Sequence, residues 1–150
     1  MNNTYKITTR NDEETIEVAQ NLESEKFPNM VICLNGDLGS GKTVFTKGFA
    51  SAMAIEEVTS PTFNIIKEYV GELPLYHIDV YRTNGKIDNL GIEEYFDKGV
   101  VTIIEWAEMI EDYLPEERLD ITFKITGENS RIMIITPHGE KYVRVCEDAL

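Results

Sequence analysis

The sequence predicts an α/β domain with a mixed sheet: a parallel core, flanking antiparallel strands, and helices on both faces. Three observations carry that expectation. Residues 30–53 run from an apolar segment (Met30 to Asn35) through a glycine-rich loop to a helix-like stretch (Thr43 to Met53). Two further short apolar runs, Leu75 to Asp79 and Val100 to Glu105, each end in a carboxylate, as buried parallel strands do when their carboxyl ends face a ligand. Leu119 to Thr126 alternates strictly, with Leu119, Ile121, Phe123 and Ile125 on one face, the pattern of a half-buried antiparallel strand.

Taken in order, Tyr5 to Thr9 reads as a strand. Asn11 to Glu23 reads as a helix, with Ile16, Val18, Ala19 and Leu22 at helical spacing after a cap at Thr9 or Asn11 and acids in its first turn. Phe27-Pro28 leads into the apolar strand at Met30. After the second helix, Thr59 to Phe63 breaks the pattern, Asn64 to Tyr69 resumes as an extended segment, and Gly71-Glu72 reads as a turn. Tyr81 to Gly91 is polar and loop-like, and Ile92 to Asp97 gives a short helix. In the last third, Arg131 to Thr136 and Tyr142 to Cys146 are expected to extend the antiparallel meander after turn signals at 127–130 and 137–139. No repeat, low-complexity tract or linker interrupts the chain, so residues 1–150 are expected to form one domain.

Composition narrows the function classes. At 150 residues the core is large enough to need neither disulfide nor structural metal. Cys33 and Cys146 form no Cys-x-x-Cys pair, which suits a reduced, cytoplasmic setting. No stretch approaches a membrane span, and the N-terminus lacks the apolar segment of a signal peptide. The net charge of −13, from 27 acidic and 14 basic side chains, repels phosphate backbones, so RNA would be reached only through a partner.

The chemistry sits in Gly36 to Thr43, Gly-Asp-Leu-Gly-Ser-Gly-Lys-Thr, which fits the phosphate-binding pattern G-x-x-x-x-G-K-[ST]. Its glycines let backbone N–H groups turn around a polyphosphate, the following helix points its positive end at the same anion, Lys42 reaches the β/γ-phosphates, and Thr43 offers a hydroxyl to Mg²⁺. A nucleoside triphosphate is therefore the expected ligand. A triphosphate with Mg²⁺ also needs a carboxylate and a placed water. Glu105 is the candidate to hold Mg²⁺, directly or through water, and to orient that water; Asp79 is the candidate for a second contact to metal or phosphate. Thr59, Ser60 and Thr62 read equally as a switch segment or a Ser-Pro turn. Trp106 packs either near the nucleotide or half-buried in the core, and His77 reads as a hydrogen-bonded core histidine.

Four motifs occur in order: the loop, then Ser60-Pro61-Thr62-Phe63, then His77-Ile78-Asp79-Val80-Tyr81-Arg82, then Ile104-Glu105-Trp106. Together they resemble the TsaE (YjeE) family, small P-loop ATPases of tRNA threonylcarbamoyladenosine synthesis, over nearly the whole chain. The resemblance implies a P-loop NTPase-like fold and an ATP site at Gly39, Ser40, Gly41, Lys42, Thr43 and Val44. It further implies Mg²⁺ at Thr43 and Glu105, Asp79 beside the phosphates, and weaker nucleotide contacts near Glu13 and near Glu128 or Arg131. The implied partners are the carbamoyltransferase pair TsaD and TsaB. Val44 departs from the family, where a second hydroxyl residue often follows the loop threonine, so a side-chain bond to the α-phosphate is missing.

Two other readings compete. A nucleotide-sensing adaptor would bind ATP and partner with little turnover. A small-molecule kinase would need an acceptor pocket and an arginine-bearing lid, against which the arginines here are scattered and the chain is short. A GTPase is disfavoured because no Asn-Lys-x-Asp motif is present.

Overall fold

The computed structural model describes residues 4–55, 66–70, 73–81 and 91–150. Among these residues seven strands, β1 (Tyr5–Thr9), β2 (Val31–Gly36), β3 (Ile66–Tyr69), β4 (Leu75–Asp79), β5 (Val101–Glu105), β6 (Arg118–Ile125) and β7 (Arg131–His138), form one sheet. Their spatial order is β1-β7-β6-β2-β5-β4-β3. The centre, β6-β2-β5-β4, is parallel, while β7 and β1 on one side and β3 on the other run antiparallel. Strand β6 thus belongs to both regimes, pairing parallel with β2 and antiparallel with β7.

Helices α1 (Asp12–Glu23), α2 (Lys42–Ala52) and α4 (Glu140–Ala149) cover one face, where Val18, Leu22, Phe45, Phe49, Tyr142 and Val145 pack on Ile32, Leu34, Ile103 and Ile121. The short α3 (Ile92–Tyr95) and the 3₁₀ helix Ala107–Tyr113 cover the other face over Val31, Cys33, Ile78 and Ile104. Covering both faces explains why β2 and β5 are apolar runs rather than alternating ones. Alternation returns in β6, where Leu119, Ile121 and Phe123 are buried and the residues between them are partly exposed.

Local chemistry sets the element ends. Asn11 caps α1, its side-chain oxygen accepting from the Glu14 N–H at 2.9 Å, a contribution of about 1 kcal/mol. The three acids Asp12, Glu13 and Glu14 fill the first turn, where the helix dipole favours them. Pro137 lies opposite Leu119 of β6, two residues beyond Ile135, which pairs with Tyr5 of β1.

One expected element is corrected. Tyr142 to Cys146 is not a strand of the meander but part of helix α4. Tyr142, Val145 and Cys146 are buried and Ala149 packs against the same cluster, a spacing of three, four and seven that a helix presents to one side. The Tyr142 hydroxyl also accepts from the Val31 N–H at 2.8 Å, fixing α4 to the start of β2. Both cysteines are buried and free, and burial pushes the Cys146 thiol up to about 11. Among the described residues, no helix is long and apolar enough to cross a membrane.

Helices α1 and α2 approach closely at Gly48, where an added Cβ would lie 2.9 Å from the Ile16 Cα. Backbone cannot yield as a side-chain tip can. Gly48→Ala should therefore destabilise the fold by about 1–2 kcal/mol, overpacking outweighing the helix-propensity gain of alanine. Thermal unfolding of the two proteins checks this, and an unchanged or higher Tm would contradict the close approach.

Candidate nucleotide site

Strand β2 delivers the chain to the carboxyl edge of the sheet, and α2 carries it away; residues 36–41 make the turn between them. Two glycines are needed for definite reasons. At Gly36 (φ 141°) a Cβ would stand 2.7 Å from the Phe123 carbonyl oxygen and 2.8 Å from Ser40 Oγ. Gly41, at the N-cap of α2, adopts φ 114° and ψ 6°, a left-handed conformation that side chains disfavour. The first N–H groups of α2 thereby face the sheet's carboxyl edge with no side-chain cap, a geometry suited to an anion.

Parallel register brings the acids there. Asp79 is opposite Glu105, and Glu105 is opposite Leu34, so β4 and β5 end level while β2 runs two residues further, to Gly36. Glu105 is only 3% exposed. One of its carboxylate oxygens lies 3.4 Å from Thr43 Oγ1, and the other makes a short contact with His77 Nε2. His77 is fully buried on the same face of β4 as Asp79, two residues away. The sequence placed it as a bonded core histidine without showing its partner, since Glu105 lies 28 residues away in the chain.

Asp79 is half-buried, and desolvation raises its carboxyl pKa above the ordinary value. The Tyr81 N–H, donating to it at 3.0 Å, acts in the opposite sense, while neighbouring Glu105 adds to the rise. Lys42 is 5% exposed. Its ammonium donates to the carbonyls of Gly36 and Asp37, the latter at 3.1 Å, and sits 3.9 Å from the centroid of the Trp106 ring. Burial lowers its pKa, against the pull of Glu105, Glu108, Asp79 and Asp37.

Trp106 itself holds a left-handed conformation (φ 63°), with its N–H donating to the Leu34 carbonyl at 2.9 Å. This turns the indole back over the loop, where it meets Tyr81 with ring centroids 4.6 Å apart. A cavity of about 530 Å³ opens over these groups. Residues 38–44 line it together with Asp79, Glu105, Trp106 and Arg131, and also Asp12 and Tyr81, which the sequence did not single out. Glu13, one residue along α1, is not among the lining residues. Arg131 directs its guanidinium at the loop carbonyls of Gly39 and Ser40, and Glu128 takes part through its backbone carbonyl. Thr59, Ser60, Thr62 and Arg82 lie outside the described residues.

The donor set bears on a metal. Thr43 Oγ1, Glu105 and Asp79 are hard oxygen donors at one edge, and no cluster of three or more His, Cys, Asp or Glu that could hold a metal occurs among the described residues. The hard oxygens of Thr43 and Glu105 fit Mg²⁺, which takes one or two protein oxygens together with substrate phosphates and water.

A glycine loop between a central parallel strand and a helix, with acids on the two adjacent strand ends, defines a P-loop NTPase-like α/β domain. Comparison with known proteins gives the family. The model of the family described as "Threonylcarbamoyl adenosine biosynthesis protein TsaE" matches residues 9–133. The Bacillus subtilis (strain 168) tRNA threonylcarbamoyladenosine biosynthesis protein TsaE is 48% identical over 145 residues, covering 95% of this chain and 92% of that protein. The TsaE protein of Rickettsia felis is 36% identical over 140 residues, covering 89% and 81%. The crystal structure of Bacillus subtilis YdiB superposes with a TM-score of 0.88 at 44% identity, over 99% of this chain and 95% of that one. The chain belongs to the TsaE family.

The raised Asp79 pKa has a stability consequence. The folded state favours the protonated acid, so its cost is absent below both folded and unfolded pKa values and is present in full above the folded one. Asp79→Asn should therefore raise Tm slightly at pH 7 in ligand- and metal-free buffer, with the gain shrinking as pH falls through the carboxylate range. A gain that grows toward acid pH would contradict the desolvation account.

Proposed function

We propose that this chain is a Mg²⁺-dependent ATPase that serves threonylcarbamoyladenosine modification of tRNA by acting on a TsaD and TsaB partner complex. The observation that carries the reading is the convergence of the phosphate loop, Thr43 and Glu105 at one edge of the parallel sheet, with Asp79 level beside them. Family membership supports the pathway. The partner pair rests on the family resemblance, and the chain's net charge of −13 supports reaching tRNA through partners rather than by direct contact.

In this reading the ATP phosphates occupy the cavity, held by loop N–H groups and by Lys42 once its ammonium leaves the carbonyls of Gly36 and Asp37. Thr43 and Glu105 are the protein groups that would hold Mg²⁺. What a bound Mg²⁺ supplies is charge neutralisation on the β- and γ-phosphate oxygens. Glu105, fixed by His77, is also placed to orient the attacking water, and Asp79 offers a second carboxylate to phosphate or metal. Trp106 and Tyr81 line the cavity, the indole face carrying the Lys42 ammonium.

Hydrolysis of ATP by the purified chain, alone and with the TsaD and TsaB pair, tests the proposal with Lys42→Ala as the blank. Turnover stimulated by the pair is the expected result. Glu105→Ala should lose turnover by at least about a hundredfold while still binding ATP, because most phosphate contacts come from the loop and Lys42. Wild-type hydrolysis in that variant would remove Glu105 from the mechanism. ATP binding without turnover under either condition would favour a nucleotide-sensing adaptor.

A further inference from the structure

Arg131 is the first residue of β7, and its backbone is registered on both sides, opposite Thr9 of β1 and Ile125 of β6. Its side chain reaches across to the phosphate loop. Nε donates to the Ser40 carbonyl at 3.1 Å and Nη2 to the Gly39 carbonyl at 3.0 Å. Nη1 donates back to its own hairpin, to Ser130 at 2.8 Å and Gly127 at 3.1 Å. Four of the five guanidinium N–H groups are thus engaged on backbone carbonyls.

The loop needs such an outside restraint. Gly39 and Gly41 flank Ser40 at φ 77° and 114°, and glycine does little to fix its own peptide planes. In a trans peptide the C=O and the next N–H point in opposite directions. Drawing the Gly39 and Ser40 carbonyls toward Arg131 therefore turns the Ser40 and Gly41 N–H groups away from it. Ser40 N–H is then taken up by the Asp37 carbonyl at 3.1 Å within the loop, and Gly41 lines the cavity. The rigid fork matches two consecutive carbonyls, which a flexible ammonium does not, and charge assistance makes each bond stronger than a neutral one.

We propose that Arg131 is a positioning residue that braces the phosphate loop from the β6–β7 hairpin, setting its peptide planes for a polyphosphate, rather than a group that contacts the nucleoside. The ligand half of this proposal rests on the nucleotide-site reading; the loop-ordering half stands without it.

The test compares wild type with Arg131→Met, which keeps the alkyl stem and removes every donor, and Arg131→Lys, which keeps the charge. Amide hydrogen exchange across residues 39–43 is followed in the ligand-free proteins. Affinities for inorganic tripolyphosphate and for ATP are measured by titration calorimetry. Arg131→Met is expected to speed exchange in the loop and to weaken both ligands by a similar factor of about ten, with Arg131→Lys recovering only part of either. Should Arg131→Met not fold, Arg131→Lys carries the same comparisons. Weaker ATP with unchanged tripolyphosphate binding and unchanged loop exchange would overturn the brace in favour of a nucleoside contact. Full recovery by Arg131→Lys would overturn the fork geometry. If wild type binds neither ligand, the nucleotide-site reading fails, while the exchange comparison still decides the brace.

Discussion

The parallel register of β2, β5 and β4 is the constraint on which the site depends. Leu34 is set against Glu105, and Glu105 against Asp79, so β4 and β5 end together, β2 ends two residues beyond at Gly36, and the segments after all three are delivered to the same edge. After β2 comes the glycine loop, after β5 the reversed Trp106, and after β4 Tyr81. A parallel centre must be covered on both faces, which is why α1, α2 and α4 lie on one side and α3 with the 3₁₀ helix on the other. A slip of one residue between β4 and β5 would send Asp79 to the opposite face from Glu105.

Within that edge, charge is arranged against the character of the whole chain. The molecule is strongly acidic, yet two cations, Lys42 and Arg131, hold carbonyls of the phosphate loop, Lys42 at its start and Arg131 at Gly39 and Ser40. Neither is free in solvent: Lys42 rests on loop carbonyls and the Trp106 face, and Arg131 on other loop carbonyls and its hairpin. The cation–π contact contributes about 0.5–2 kcal/mol, small enough for a polyphosphate to draw the ammonium away. Glu105 is the complementary case, a buried carboxylate whose oxygens are divided between His77 and Thr43, since an unpartnered one would be costly.

What the sequence made legible was local. Strand, glycine loop and helix are contiguous, so the turn from β2 into α2 could be read from residues 30–53, and carboxylates at the ends of apolar runs pointed to Asp79 and Glu105, which the register sets side by side. The two regimes of the sheet were also visible, in continuous apolar runs against the alternation of β6. The misread element, α4, is short, and Tyr142 to Cys146 carries apolar residues that fit either period; only packing on Phe27 and Val31 decides it. The Glu105–His77 contact, the Arg131 fork and the entry of Asp12 into the cavity join residues far apart in the chain, and no local pattern encodes such pairings. The left-handed backbone of Trp106 is likewise set by its hydrogen bond to Leu34 and not by any intrinsic preference of tryptophan.

The central claim is that one cavity joins the phosphate loop, Thr43 and the buried Glu105 into a single ATP site. A crystal structure of the chain with Mg²⁺ and a non-hydrolysable ATP analogue tests it most directly. The triphosphate is expected along residues 39–44, with Lys42 Nζ moved from the Gly36 and Asp37 carbonyls onto phosphate oxygens and the metal beside Thr43 and Glu105. An analogue bound elsewhere, or a Lys42 ammonium still held on those carbonyls beside it, would contradict the claim.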